Sequence, residues 1–288
     1  MTALARRTVI VGTGLIGGSL AASGRRAGAL EHVVGVGRGR DNLDHARAAG
    51  LVDETSTDLA GSLDGADLVV LAAPVDACCE LLETVATHTG ERCVVTDVGS
   101  VKVPLVERAT ALGIASRFVA AHPMAGGVDT GAAAARADLF DERVVVLTPN
   151  PATAAEAVGL VRRLWEACGA RVVEMDAAAH DAAVAVTSHL PQMLAFCLSA
   201  AAGRDAARGE HLEELVGAGF KDTARLARSD AAMWAAIARL NGGSILAAMD
   251  RFSAVWQELR AAIEAGDEQA LRVVMSEAAA FKSRVDDR

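Results

Sequence analysis
Gly12, Gly14 and Gly17 stand in the spacing G-x-G-x-x-G, directly behind the apolar run Thr8 to Val11 and ahead of a helix-forming segment. That spacing suits a strand that turns tightly into a helix around a pyrophosphate. Gly12 permits the turn, Gly14 lets the backbone approach the phosphates with no Cβ in the way, and Gly17 lets the helix pack on the strand. The helix N-terminus, with Leu15 and Ile16 in its first turn, offers unpaired N–H groups and partial positive charge to the same anion. An ordinary strand-turn-helix corner uses similar glycines. Here the strand, its place near the N-terminus and the following helix agree on a dinucleotide site.

A second strand, His32 to Gly37, leads to the place about 20 residues past the glycines where NAD-preferring sites carry an acid for the ribose 2′-hydroxyl. This chain has Gly37-Arg38-Gly39-Arg40 there. Arg38 and Arg40 could hold a 2′-phosphate by charge-assisted hydrogen bonds, or they could be solvated loop charges. NADP is the favoured cofactor and NAD the alternative. Farther on, Asp67 to Ala72 reads as a strand ending in Ala73-Pro74-Val75, small enough to leave room for a nucleotide at a sheet edge.

Two more groups could act on a substrate. His122 precedes Pro123 at the end of a strand within RFVAAHPMAGG, and the pre-proline restriction keeps its backbone extended. A lone histidine is commonly structural, but a strand end beside a dinucleotide site is where an imidazole would meet substrate. In GFKDTARLARSD, Lys221 and Arg225 are four residues apart and would share a helix face, either solvated or closed around an anion.

These residues need a scaffold, and the chain supplies one in two parts. Strands alternate with helices as far as Arg171 to Met175, which implies a parallel, doubly wound α/β sheet with ligands at the strand ends. Asp41 or a neighbour is the expected N-cap of the helix ending near Ala49. From Asp176 onward the Ala- and Leu-rich segments have helical spacing, so the boundary falls at 175/176, with residues 1–175 binding the dinucleotide and 176–288 all-helical. Helices are expected over Ala177 to Ala202, within His211 to Leu240, from Ser244 to Ala265 and from Asp267 to Val285. Pro191 should kink the first of them or mark a local departure from helical hydrogen bonding, with His189 on the turn just before it. Flat alanine-rich faces suit burial between two subunits, so a homodimer is expected.

The chain has 288 residues, 52% hydrophobic and 23% charged, and a net charge of −9. The acidic balance argues against a nucleic-acid surface. Five cysteines without C-x-x-C or histidine spacing suggest neither disulfides nor a metal site, and fit a reducing cytoplasm. No leader is expected at the N-terminus, and no apolar run reads as an uninterrupted membrane span.

Five segments together resemble the prephenate and arogenate dehydrogenase family of tyrosine biosynthesis. They are GLIGGS at Gly14 to Ser19, TDVGSVK at Thr96 to Lys102, HPMAG at His122 to Gly126, SHLPQ at Ser188 to Gln192, and GFKDTAR at Gly219 to Arg225. The resemblance implies a Rossmann domain followed by an all-α dimerisation domain, with the site between them and no added regulatory or mutase domain. It implies NAD(P)-dependent oxidative decarboxylation of prephenate to 4-hydroxyphenylpyruvate, or of arogenate to tyrosine. His122 would accept the C4 hydroxyl proton, Ser100 would orient that imidazole and the nicotinamide, and Arg225 would hold the ring carboxylate. His189 and Lys221 would shape the substrate site.

Two departures bear on the substrate side chain. Gly127-Val128-Asp129 stands where many relatives have Thr-Glu-Lys, and Gln192 where several have a second histidine. Gln192 could donate to a keto group, which favours prephenate, whereas Asp129 could favour the ammonium of arogenate. Another Rossmann-plus-helical dehydrogenase, such as a 3-hydroxyacid dehydrogenase or an imine reductase, would rely on a lysine or a different base. A non-catalytic nucleotide sensor would have no use for a histidine beside a carboxylate clamp.

Overall fold
The structure, a computed structural model, describes residues 3–127, 129–207 and 212–287. Val128 and His211 therefore lie outside the described residues. The first part alternates β1 (Ala5–Val11), α1 (Leu15–Arg26), β2 (Leu30–Val36), α2 (Arg40–Ala48), β3 (Glu54–Ser56), α3 (Leu59–Ser62), β4 (Leu68–Leu71) and α4 (Val75–His88). It continues with β5 (Val94–Asp97), α5 (Val103–Ala111), β6 (Phe118–Pro123), β7 (Val144–Pro149), α6 (Ala155–Ala167) and β8 (Arg171–Glu174). Then come α7 (Ala177–Val184), a π-helical turn at Ala185–His189, α8 (Leu190–Ala206), α9 (Ala218–Ala224), α10 (Ala231–Leu240), α11 (Gly242–Ala265) and α12 (Glu268–Asp286).

The strands form one sheet in the order β3-β2-β1-β4-β5-β6-β7-β8. Every pairing is parallel except β6 with β7, where Ala121 lies opposite Leu147 and His122 opposite Val146. The reversal has a simple cause. Between β6 and β7 the described residues form a 3-10 turn at Ala132–Ala134 and no crossover helix, and a parallel neighbour needs a long crossover. Edge strand β3 has only Glu54-Thr55-Ser56 and no apolar alternation, so its sequence does not announce it.

Central strands such as Leu68-Val69-Val70-Leu71 are apolar on both faces because helices cover both. One face packs Ile10, Leu20, Phe140, Leu164 and Trp165; the other packs Val9, Leu82, Leu105 and Phe118, with Ile237 of α10 among them. By packing, the chain groups into two units. One comprises residues up to Val184 together with Arg225–Asn241; the other comprises Ala185–Ala224 and Gly242–Arg288. In the second, α11 packs on α12 and α8, and the π turn packs on α8 and α11.

Local expectations meet the structure unevenly. Asp267 caps α12, its side chain accepting from Ala270 N–H. Helix α2 is instead capped by Gly39 with no side-chain bond, and Asp41 sits in the first turn, where negative charge still opposes the helix dipole favourably. The π turn immediately before Pro191 is the local departure that the proline called for. The run Ala177–Ala206 is long and apolar enough, by length and composition, to cross a membrane, which the sequence reading did not anticipate. Its first two turns nevertheless hold buried His180 and Asp181, bonded into the sheet unit.

The turn after β1 is the least forgiving place in the backbone. Gly12 has φ +99°, and a Cβ on Gly17 would lie 2.0 Å from the Gly12 carbonyl oxygen and 2.9 Å from Ala72 Cβ. Gly17→Ala is therefore expected to cost about 1–3 kcal/mol by overpacking, read as a fall of several degrees in Tm. An unchanged Tm would mean that strand and helix can separate at this point.

Candidate active site
The carboxyl ends of the parallel strands gather most of the sequence-selected residues on one edge of the sheet unit. Gly12 follows β1, Arg38 follows β2, Ala73 and Pro74 follow β4, Ser100 follows β5 and His122 ends β6. Close approaches tie these turns together. A Cβ built on Gly12 would sit 2.4 Å from the Ala72 carbonyl, one on Gly99 would sit 3.4 Å from Val75, and one on Gly127 would sit 3.3 Å from Leu15. The segment after β6 thus lies across the glycine turn. Asn42 of α2 pins it, accepting from Ala132 N–H at 2.7 Å while donating to Thr13 Oγ1 at 3.0 Å.

The residues present fit a dinucleotide. Gly14 caps α1 without any side-chain bond, and a Cβ added there would meet nothing within 4 Å, so the space over the helix N-terminus is open to a phosphate. Leu15 and Ile16 flank it half-buried. Val75 begins α4 and is buried, beside the half-buried Ala73. Below them Cys78 Sγ donates to the Ala73 carbonyl at 3.2 Å, and burial pushes that thiol up to about 12, so it is a structural donor and not a nucleophile. Arg38 and Arg40 are both exposed. Arg40 also lines a hollow of about 260 Å³ with Leu43, Asp44, Thr55, Ser56 and Thr57.

Beneath Ser100 and His122 lies a polar network that the sequence reading did not assign. Asp97 and Lys102 form an ion pair with both side chains 0% exposed. Lys102 Nζ also donates to the Ala121 carbonyl at 2.7 Å; Asp97 accepts from Gly99 N–H at 2.7 Å and from Ala121 N–H at 3.1 Å. Burial pushes the Asp97 carboxyl up, opposed by Lys102 and by those two backbone donors. The pair clamps the peptide just before His122 to the turn that carries half-buried Ser100. His122 Nδ1 lies 2.8 Å from His180 Nε2, and His180 Nδ1 lies 2.7 Å from Asp181 Oδ1. Asp181 in turn accepts the Lys102 and Val103 N–H groups at 2.8 and 2.9 Å, at the start of α5.

A signal for His180 and Asp181 was present in the sequence: on α7 they share the buried stripe with Val184, an unusual place for two polar residues. The other expected substrate residues are distributed between the units. Arg225, exposed, belongs to the sheet unit; His189, Gln192 and Lys221 belong to the other, where His189 ends the π turn, Gln192 is buried and Lys221 is exposed. Helix α9 stops at Ala224 and Arg225 opens a 3-10 turn, so Lys221 and Arg225 do not share one α-helical face. The seven-residue helix tightens at its end, as short helices commonly do. Among the described residues no cluster of histidine, cysteine, aspartate and glutamate is arranged to hold a metal ion.

Residues 20–174 match the family model of the prephenate dehydrogenase nucleotide-binding domain, and residues 176–277 match that of the prephenate dehydrogenase dimerization domain. A cyclohexadienyl dehydrogenase of Zymomonas mobilis is 32% identical over 264 residues, covering 91% of this chain and 90% of that protein. The crystal structure of prephenate dehydrogenase from Aquifex aeolicus, in complex with hydroxyphenyl propionate and NAD+, superposes with a TM-score of 0.93 at 32% identity over 97% of this chain and 98% of that one. Arogenate dehydrogenase of Synechocystis gives a TM-score of 0.82 at 30% identity, covering 97% and 99% of the two chains.

The buried ion pair gives a stability prediction. Lys102→Met leaves the Asp97 carboxyl buried without its cation and should cost about 3–5 kcal/mol in chemical denaturation. Asp97→Asn/Lys102→Met should recover much of that loss. Equal losses in the single and double variants would show that Lys102 stabilises through its packing and not its charge.

Proposed function
The chain belongs to the prephenate dehydrogenase family, and from that premise we infer that it catalyses NAD(P)-dependent oxidative decarboxylation of prephenate to 4-hydroxyphenylpyruvate. The observation that carries the reading is His122, an imidazole at the end of β6 on the sheet edge that bears the glycine turn. A bound NAD(P) would supply the hydride acceptor, and Gly12, Gly14, Leu15, Ile16, Gly17, Ala73, Pro74 and Val75 are the residues that would hold the dinucleotide. His122 takes the proton of the C4 hydroxyl while hydride leaves C4, the ring carboxylate departs as carbon dioxide and the ring becomes aromatic. Ser100, on the turn clamped by Asp97, orients the imidazole and the nicotinamide. Arg225 holds the ring carboxylate bidentately, which a lysine could not reproduce. On the resemblance, His189, Lys221, Gln192 and Gly127 are assigned to substrate binding, and the functional division of the chain falls at 175/176.

NADP is the preferred cofactor in this proposal. Residues 37–40 after β2 carry no acid, and Arg38 and Arg40 are available to a 2′-phosphate, while Asp44 shares the hollow beside Arg40. A second reading, arogenate as substrate, draws on exposed Asp129, two residues past Gly127, as a partner for an ammonium group. The working form is a homodimer through the helical part, supported by the dimerization-domain match and by exposed Leu246, Trp256, Ile263, Met275 and Phe281 on α11 and α12. Cytoplasmic residence is part of the proposal, supported by five free cysteines.

Initial rates with prephenate and arogenate, each with NAD and NADP, test the reading directly. Turnover fastest with prephenate and NADP is expected; silence in all four mixtures with cofactor binding intact would overturn it. His122→Asn should lower kcat by about 10²–10⁴-fold with little change in KM, and Arg225→Ala should chiefly raise KM for the cyclohexadienyl acid. Arg38→Asp should move the NADP-to-NAD ratio of kcat/KM towards NAD, and a constant ratio would make Arg38 a bystander. Light scattering should give the mass of two chains for the native protein and of one for Trp256→Glu.

A further inference from the structure
We infer that His180 and Asp181 are positioning residues for His122, an Asp-His-His relay that decides which ring nitrogen of His122 carries its proton; the inference rests on His122 being the base. Asp181 Oδ1 and Oδ2 receive the N–H groups of Lys102 and Val103, so both oxygens are acceptors. His180 Nδ1, 2.7 Å from the same Oδ1, must then be the donor. A neutral imidazole has one donor and one acceptor, which makes His180 Nε2 the acceptor. Its partner at 2.8 Å, His122 Nδ1, must donate. Nε2 of His122 is thereby fixed as the accepting nitrogen, the form a base needs.

The surroundings favour a fixed arrangement. His180 is 1% and Asp181 2% exposed, so water does not compete for these bonds. Asn241 Nδ2 donates to the Asp181 carbonyl at 2.9 Å and holds the α7 backbone from another element of the same unit. The charged groups packed nearby are Lys102 and Asp97, paired with each other on the Ala121 peptide; β7 brings uncharged Val146 opposite His122. When the substrate proton arrives at His122 Nε2, the ring becomes imidazolium, and its Nδ1–H bond to His180, backed by the Asp181 carboxylate, strengthens. The relay therefore holds the ring in orientation before the proton transfer and stabilises the charge after it.

The first test reads the protons themselves. Two-bond ¹H–¹⁵N spectra of protein labelled at histidine nitrogen, without substrate and above the pH of histidine titration, should show both rings as Nδ1–H tautomers. His122→Asn and His180→Asn assign the two resonances. Finding either ring as Nε2–H, or His180 protonated on both nitrogens, overturns the inference. The second test is the pH dependence of kcat for His180→Phe and His180→Gln, with folding checked by thermal denaturation. His180→Phe should lower kcat about 10²-fold with KM within about threefold, and should move the acid limb of the profile to lower pH by about one unit, because the imidazolium has lost its acceptor. His180→Gln, whose amide oxygen can accept from Nδ1–H, should recover part of the loss. An acid limb that stays in place in both variants overturns the relay. Because the tautomer spectra need no turnover, a protein inactive on prephenate that still shows both Nδ1–H rings would refute the proposed reaction and leave the relay standing.

Discussion
The buried pair of Asp97 and Lys102 is the constraint from which the geometry of the site follows. A carboxylate and an ammonium with no exposure must satisfy each other and every remaining lone pair and proton nearby, or the fold loses several kcal/mol. They do so by taking the N–H groups of Gly99 and Ala121 and the carbonyl of Ala121. These backbone groups lie directly beside Ser100 and His122. A demand for polar satisfaction beneath the sheet edge thus fixes two neighbouring strand ends relative to each other. The backbone N–H of the same Lys102 then donates to Asp181, which passes the constraint on to α7.

The reversal at β7 has a consequence at the other side of the glycine turn. Because β6 and β7 run antiparallel, residues 124–143 return along the edge where the parallel strands end. They pack over the start of α1, with Arg136 N–H bonded to Ser19 Oγ at 3.0 Å and Ala132 N–H bonded to Asn42. A parallel continuation through a crossover helix would have left that edge uncovered. The loop that follows His122 is therefore also a cover of the glycine turn, so one stretch of chain ties the imidazole to that turn.

What could be read from the sequence was what local chemistry enforces. Glycines at 12, 14 and 17 are dictated by contacts within one turn, and apolar strands by burial on both faces; both show in short windows. The π turn could be anticipated because proline lacks an N–H wherever it stands. The sense of β7, the end of α9 before Arg225, and the meaning of His180 could not be read in this way. His180 acquires its role from a contact 58 residues away, and a window around it shows only a histidine and an aspartate in an alanine-rich helix. Ser100 was singled out by resemblance, whereas Arg225 stood out by its spacing to Lys221 and His189 by its place before Pro191; the roles of all three rest on the resemblance.

The polar stripe on α7 also shows how so plain a composition can fix one imidazole at the sheet edge. A helix of alanine and valine packs against almost any flat neighbour, and such packing sets position only loosely. Asp181 removes the looseness: its carboxylate must meet the first amides of α5, and His180 must meet His122, so α7 has one register against the sheet. Hydrogen bonds that specify the docking of α7 are thus the same bonds that orient the imidazole. Losing them would loosen the helix and displace the imidazole together, which couples the packing of this corner to the placement of His122 through one carboxylate.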